Sequence, residues 1–145
     1  MDAGALGATI DAMRGAGASL EVQEMAFIAL QNGCYGDDEL AVSRREVAVQ
    51  GGALATVVDI MKRHGADAAQ QAAWPTLHEA GVATLRVLVH NVQGARQQAL
   101  DLGAEADWVR PIKPTKGATS SRSGLLRGFG TSRTKASLAK IKTND

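Results

Sequence analysis

Residues able to do chemistry are few in this 145-residue chain, and they are scattered. Three histidines, His64, His78 and His90, fall in different expected helices or at their ends, and none makes the i, i+4 pair with an acidic neighbour that a helical zinc site needs. No Gly-x-Ser-x-Gly elbow, no Gly-x-x-x-x-Gly-Lys-Ser/Thr loop and no Cys-x-x-Cys pair occurs. The histidines are therefore read as surface or helix-end residues, and the chain as a non-enzyme with no metal or cofactor. Cys34, the single cysteine, excludes an intrachain disulfide and fits a reducing compartment. Beside Gly33 and Tyr35 it is expected to pack at a helix end, with no histidine or cation nearby to lower its pKa.

The elements around these residues read as helices. Aromatic residues make up 3% of the chain and hydrophobic ones 45%, with Ala, Leu, Val and Met supplying the apolar side. That mixture favours close helix packing over a sheet. Leu54, Val57, Val58 and Met61 fall at i, i+3, i+4 and i+7, and Val22, Met25, Ala26, Ala29 and Leu30 extend that spacing to i+8. Both sets are expected core stripes. Ser19 stands where an N-cap would, and Asp37-Asp38 could cap a helix carrying Arg44 to Val49.

A long period runs through the chain. Gly-Ala turns open apolar runs at Gly4-Ala5, Gly52-Ala53 and Gly103-Ala104, spaced 48 and 51 residues apart. The first two copies, Gly4 to Arg14 and Gly52 to Lys62, share apolar, acidic and basic positions nearly step for step, Asp11 and Asp59 included. A second helix follows in each, Leu20 to Gln31 and, more loosely, Ala68 to His78. Stacked helical units leave this kind of signature.

With Glu21 to Gln31 as a third helix and Asn91 to Ala104 as the start of the next unit, residues 3 to 110 resemble the armadillo repeat family. The resemblance implies an all-α fold, a right-handed α-solenoid of about two and a half units. The spacings exceed the family's usual length, and Pro75 stands where the family has uninterrupted helix. Insertions near Cys34 to Leu40 and Pro75 to Ala83 would absorb the excess. Peptide-binding members carry, on their third helices, a Trp and an Asn four residues on that grip a ligand's backbone. Phe27 with Gln31 and Trp74 with His78 are the matching pairs here, each an aromatic and a hydrogen-bonding side chain on one helical face. Phe27 and Gln31 fall outside the stripe of Val22, Met25, Ala26, Ala29 and Leu30. Two readings stand for these aromatics: groove residues that contact a partner, or packing between repeats.

Charge divides the chain. Residues 1–112 hold 8 Lys and Arg against 14 Asp and Glu, a net −6, whereas 113–145 hold 8 against Asp145 alone, a net +7. Pro111 and Pro114 end the apolar periodicity at the same place, so a repeat domain over 1–112 and a disordered basic tail over 113–145 are expected. The tail, with Arg122, Arg127, Arg133 and Lys135 among its cations, reads as a solvated extension, as a contact for an acidic surface, or as a nucleic-acid or anionic-membrane binder. No segment reaches the apolar length of a membrane span, and cytosol or nucleus is the expected compartment. The functional expectation is a protein-interaction scaffold that binds a protein or peptide and is prone to self-association. Its alternatives are a nuclear-transport-type peptide adaptor, or an accessory nucleic-acid or anionic-surface binder acting through the tail.

Overall fold

The computed structural model describes residues 2–15, 17–66 and 74–112. Six α-helices and no strand are found among them: α1 Ala3–Arg14, α2 Leu20–Cys34, α3 Glu39–Gln50, α4 Ala53–Ala66, α5 Trp74–Val89 and α6 Ala95–Asp101. The all-helical expectation holds. Three of these helices start on a side chain that accepts from an otherwise unpaired N–H of the first turn. Asp2 takes the Ala5 N–H at 2.8 Å, Ser19 the Val22 N–H at 3.3 Å and Asp38 the Ala41 N–H at 2.7 Å. Ser19 and Asp38 are the caps that the sequence marks. The basic segment 113–145, with Arg122, Arg127, Arg133 and Lys135, lies outside the described residues.

The core is built around α4. Leu54, Val57, Val58 and Met61 are all buried, as their spacing predicts, and Ala53, Thr56 and Ile60 join them. The most extensive helix pairing is between α2 and α5. It depends on Gly81, where an added Cβ would lie 2.6 Å from the Met61 sulfur and 3.2 Å from Phe27 Cε2. Turns of three helices, α2, α4 and α5, therefore meet where Gly81 places no side chain. One turn on, the buried Thr84 hydroxyl bonds the Phe27 carbonyl at 3.0 Å and the Ala80 carbonyl at 2.8 Å, tying α5 to the backbone of α2.

The two aligned copies share their burial. Leu6 and Leu54, Ile10 and Val58, and Met13 and Met61 are buried at matching positions of α1 and α4. The basic residue that ends each copy also repeats its placement. Arg14 lies over Gly52, whose Cβ would meet its guanidinium nitrogen, and Lys62 lies over Gly103, whose Cβ would fall 2.8 Å from Nζ. Both glycines have positive φ, 84° and 94°, a backbone region that a Cβ disfavours. The second and third Gly-Ala turns are thus left-handed bends with the preceding copy's cation laid across them, whereas Gly4 lies within α1 and has no positive φ. In the third copy Ala104, Trp108 and Val109 are buried, but residues 106–109 form turns and no helix.

The expected core stripe of α2 is corrected. Val22 and Met25 are 45% and 64% exposed, and the inward face of α2 is Gln23, Ala26, Phe27, Leu30 and Cys34. Phe27 belongs to the core stripe, not outside it. Met25 to Leu30 is an unbroken apolar run, so its periodicity leaves the helix phase undetermined. Packing over Gly81 fixes it. Pro75 occupies the first turn of α5, where its missing N–H has no helical partner to lose, and the helix continues to Val89. After Cys34, Tyr35 to Asp38 is a short loop leading directly into α3.

Candidate interaction surface

Of the four residues expected to meet a partner, the structure brings one pair together. Trp74 and His78 pack against each other on one side of α5, with ring centroids 4.9 Å apart and planes inclined by 57°. A third ring joins them: Trp108 meets His78 edge-on at 5.8 Å, so the imidazole is held between two indoles. Trp74 also covers Gly65 near the end of α4, where a Cβ would lie 3.1 Å from its ring. This cluster is half-buried at Trp74 and His78 and buried at Trp108, which gives it packing duty between α4, α5 and the turns at 106–109. Phe27 has no exposed surface, while Gln31 is half-buried on α2. The pairs Phe27–Gln31 and Trp74–His78 are therefore not equivalent, since one aromatic lies under α5 and the other at the start of it.

The other histidines join elements. His64 Nε2 lies 2.7 Å from Oε1 of the buried Gln23, linking α4 to α2, and His90 Nε2 lies 3.1 Å from Asp37 Oδ1, linking the end of α5 to the α2–α3 loop. Both sit at helix ends, as the sequence suggests. Cys34 packs at the end of α2, also as expected, but it has cationic neighbours from α3. Arg44 donates to the Gly33 carbonyl at 2.9 Å, and Arg45 Nη1 donates to the Cys34 and Gly36 carbonyls at 3.0 and 2.7 Å. These guanidinium groups satisfy carbonyls that the end of α2 leaves without helical partners. Burial pushes the Cys34 thiol up, and the charges of Arg45 and Arg44 pull it only partly back. Sequence reasoning misses the pair because they lie about three helical turns downstream and reach the thiol only once the hairpin closes.

The hairpin of α2 and α3 carries most of the exposed large hydrophobic side chains among the described residues. Val22, Met25, Tyr35, Leu40 and Val47 are exposed there, whereas the other described large hydrophobics exposed to this degree are Leu102 and Ile112. Its acidic side chains are Glu21, Glu24, Asp37, Asp38, Glu39 and Glu46, and its only cations are Arg44 and Arg45. Both cations are turned onto the carbonyls of α2, and Arg45 is buried. Asp37 faces His90 and Asp38 caps α3. Among the described residues the four glutamates have no ion-pair partner. Elsewhere Asp11, Asp59 and Asp107 pair with Arg14, Arg63 and Arg110 of their own segments, whereas exposed Glu79, Asp101 and Glu105 are likewise without an ion-pair partner among the described residues.

One open pocket, of about 250 Å³, is lined by Arg14, Ala55, Thr56, Asp59 and Arg63. Its cations are already engaged: Arg14 Nε donates to Thr56 Oγ1 at 2.9 Å and its Nη2 to the Gly51 carbonyl at 3.0 Å, while Arg63 pairs with Asp59 at 2.9 Å. No group of three His, Cys, Asp or Glu side chains converges among the described residues. No described helix is long and apolar enough to cross a membrane. Comparison with protein-family models, with curated proteins and with solved structures gives no match. The armadillo resemblance thus rests on the residues of the chain itself.

Proposed function

We propose that this chain is a non-catalytic protein-interaction scaffold, an armadillo-like right-handed α-solenoid that binds a protein or peptide through the exposed face of its helices. The observation that carries this reading is the concentration of exposed apolar side chains on the α2–α3 hairpin, Val22, Met25, Tyr35, Leu40 and Val47. Soluble domains scatter such residues singly, and a local excess among polar neighbours marks a contact surface. The repeat character is supported by the shared burial of α1 and α4 and by the recurring placement of Arg14 on Gly52 and Lys62 on Gly103. Stacked units of this kind use their long outer face for binding.

The test is capture from the native cell with the full chain and with a chain ending at Ile112, followed by cross-linking to map the contact. A reproducible partner cross-linked to the helical residues supports the scaffold. A partner held by both wild type and a chain carrying Met25→Ser and Leu40→Ser, with no cross-link to α1–α6, would remove the reading.

A further inference from the structure

We propose that the α2–α3 hairpin is the docking surface for a cationic amphipathic helix of a partner protein. This rests on the scaffold reading above and names the chemistry of its partner. The apolar part is helical in spacing: Val22, Met25 and the half-buried Ala29 follow one side of α2, and Leu40 and Val47 stand two turns apart on the outer side of α3. Such rows accept the apolar stripe of another helix by ridge-and-groove packing, with anchors at i, i+3, i+4 and i+7 of the incoming segment. Strand addition is not open to it, because the described residues offer no sheet edge.

Charge selects the sign of the partner. Glu21, Glu24, Glu39 and Glu46 flank the apolar rows without an ion-pair partner among the described residues, and the hairpin's two arginines are spent on the carbonyls at the end of α2. The surface is therefore apolar in its rows and anionic along them. An incoming helix with Lys or Arg beside its apolar stripe would neutralise those carboxylates as it buries the rows, and the attraction would speed encounter and set orientation. A second copy of the same hairpin is the poorer occupant, since pairing like with like would bring the same four glutamates together. An acidic helix meets the same repulsion.

The experiment titrates the full-length, isotope-labelled protein with a synthetic leucine–lysine amphipathic helix and follows amide resonances. The expected result is saturable shifts on α2 and α3 at Glu21, Val22, Met25, Leu40, Glu46 and Val47, with affinity falling as salt shortens the screening length. A leucine–glutamate helix of equal length leaves the spectrum unchanged. Met25→Ser with Leu40→Ser weakens binding about tenfold, and Glu21→Gln with Glu24→Gln and Glu46→Gln weakens it while flattening the salt dependence. All these side chains are exposed or half-buried, and circular dichroism checks that each variant keeps its helices. Shifts confined to other helices, equal binding of the acidic helix, unchanged affinity in both variants, or shifts on α2 and α3 that follow protein concentration without peptide would each overturn the proposal. If the native partner cross-links to a different face and the cationic helix does not bind, this docking surface falls while the scaffold reading stands.

Discussion

Arg45 is the largest fully buried side chain in the described protein, and its charge has no carboxylate beside it. One of its nitrogens bonds the carbonyls of Cys34 and Gly36, while Nε and Nη2 are buried without a partner. A desolvated guanidinium is costly, and what it returns is closure of the end of α2. Arg45→Ala removes both the donor and the volume, so it should destabilise by about 2–4 kcal/mol. Arg45→Met keeps much of the volume and sheds the buried charge, so its loss should be smaller; chemical denaturation of both variants makes the comparison. An equal loss for methionine and alanine would show that the guanidinium donor, and not the volume it fills, holds the hairpin. Cys34 gives a second residue-scale prediction. Because burial raises its pKa, the folded protein holds the thiol proton more tightly than the unfolded chain does. Stability from this site is therefore complete below the ordinary value of 9.0 and is lost as pH rises through it toward the folded value. The difference in melting temperature between wild type and Cys34→Ala should narrow above that pH, and the native thiol should resist alkylation until denaturant is added.

At the scale of elements, Gly81 decides how closely α5 approaches α2. Gly81→Val would drive a branched side chain into Met61 and Phe27, both fully buried, and should destabilise by about 1–3 kcal/mol or more. Thermal unfolding beside Gly65→Val, placed against the less buried Trp74, separates tight packing from a general intolerance of helical valine. Much of this level was legible beforehand. Caps at Ser19 and Asp38 and the stripe of α4 could be read because each depends on residues within a turn or two of one another. Phase in α2 could not, because an apolar run from Met25 to Leu30 satisfies several orientations, and the choice among them is made by Gly81, more than fifty residues away. The candidate site suffered for the same reason. The i, i+4 partners make Phe27 and Trp74 look alike, yet long-range packing buries one and leaves the other half-exposed, and it brings in Trp108, which no local spacing connects to His78. What exposes Val22 and Met25, and so marks the hairpin as a surface, is that same rotation of α2.

For the whole molecule, the informative place is where the chain leaves its core. Residues Met1 to Ile112 form one unit of internal contacts, and within it Trp108 and Val109 are buried whereas Arg110, Pro111 and Ile112 are exposed. The change from net −6 to net +7 follows at residue 113. Core energetics and charge thus turn over within a few residues of each other, and two truncations distinguish them. A chain ending at Ile112 keeps every described core side chain, so it should retain its total helical ellipticity and melt within a few degrees of the full protein in about 0.15 M salt, where surface charges are screened beyond roughly 8 Å. A chain ending at Ala106 loses Trp108 from beside His78 and the buried Val109, and it also loses the Asp107 carbonyl that accepts from Arg86 at 3.0 Å. Removing a buried tryptophan alone costs about 3–5 kcal/mol, so this shorter chain should melt well below the other by differential scanning calorimetry. Equal melting of the two would place the end of the core before Trp108, and a large loss in the chain ending at Ile112 would move stabilising contacts beyond the point where the charge reverses.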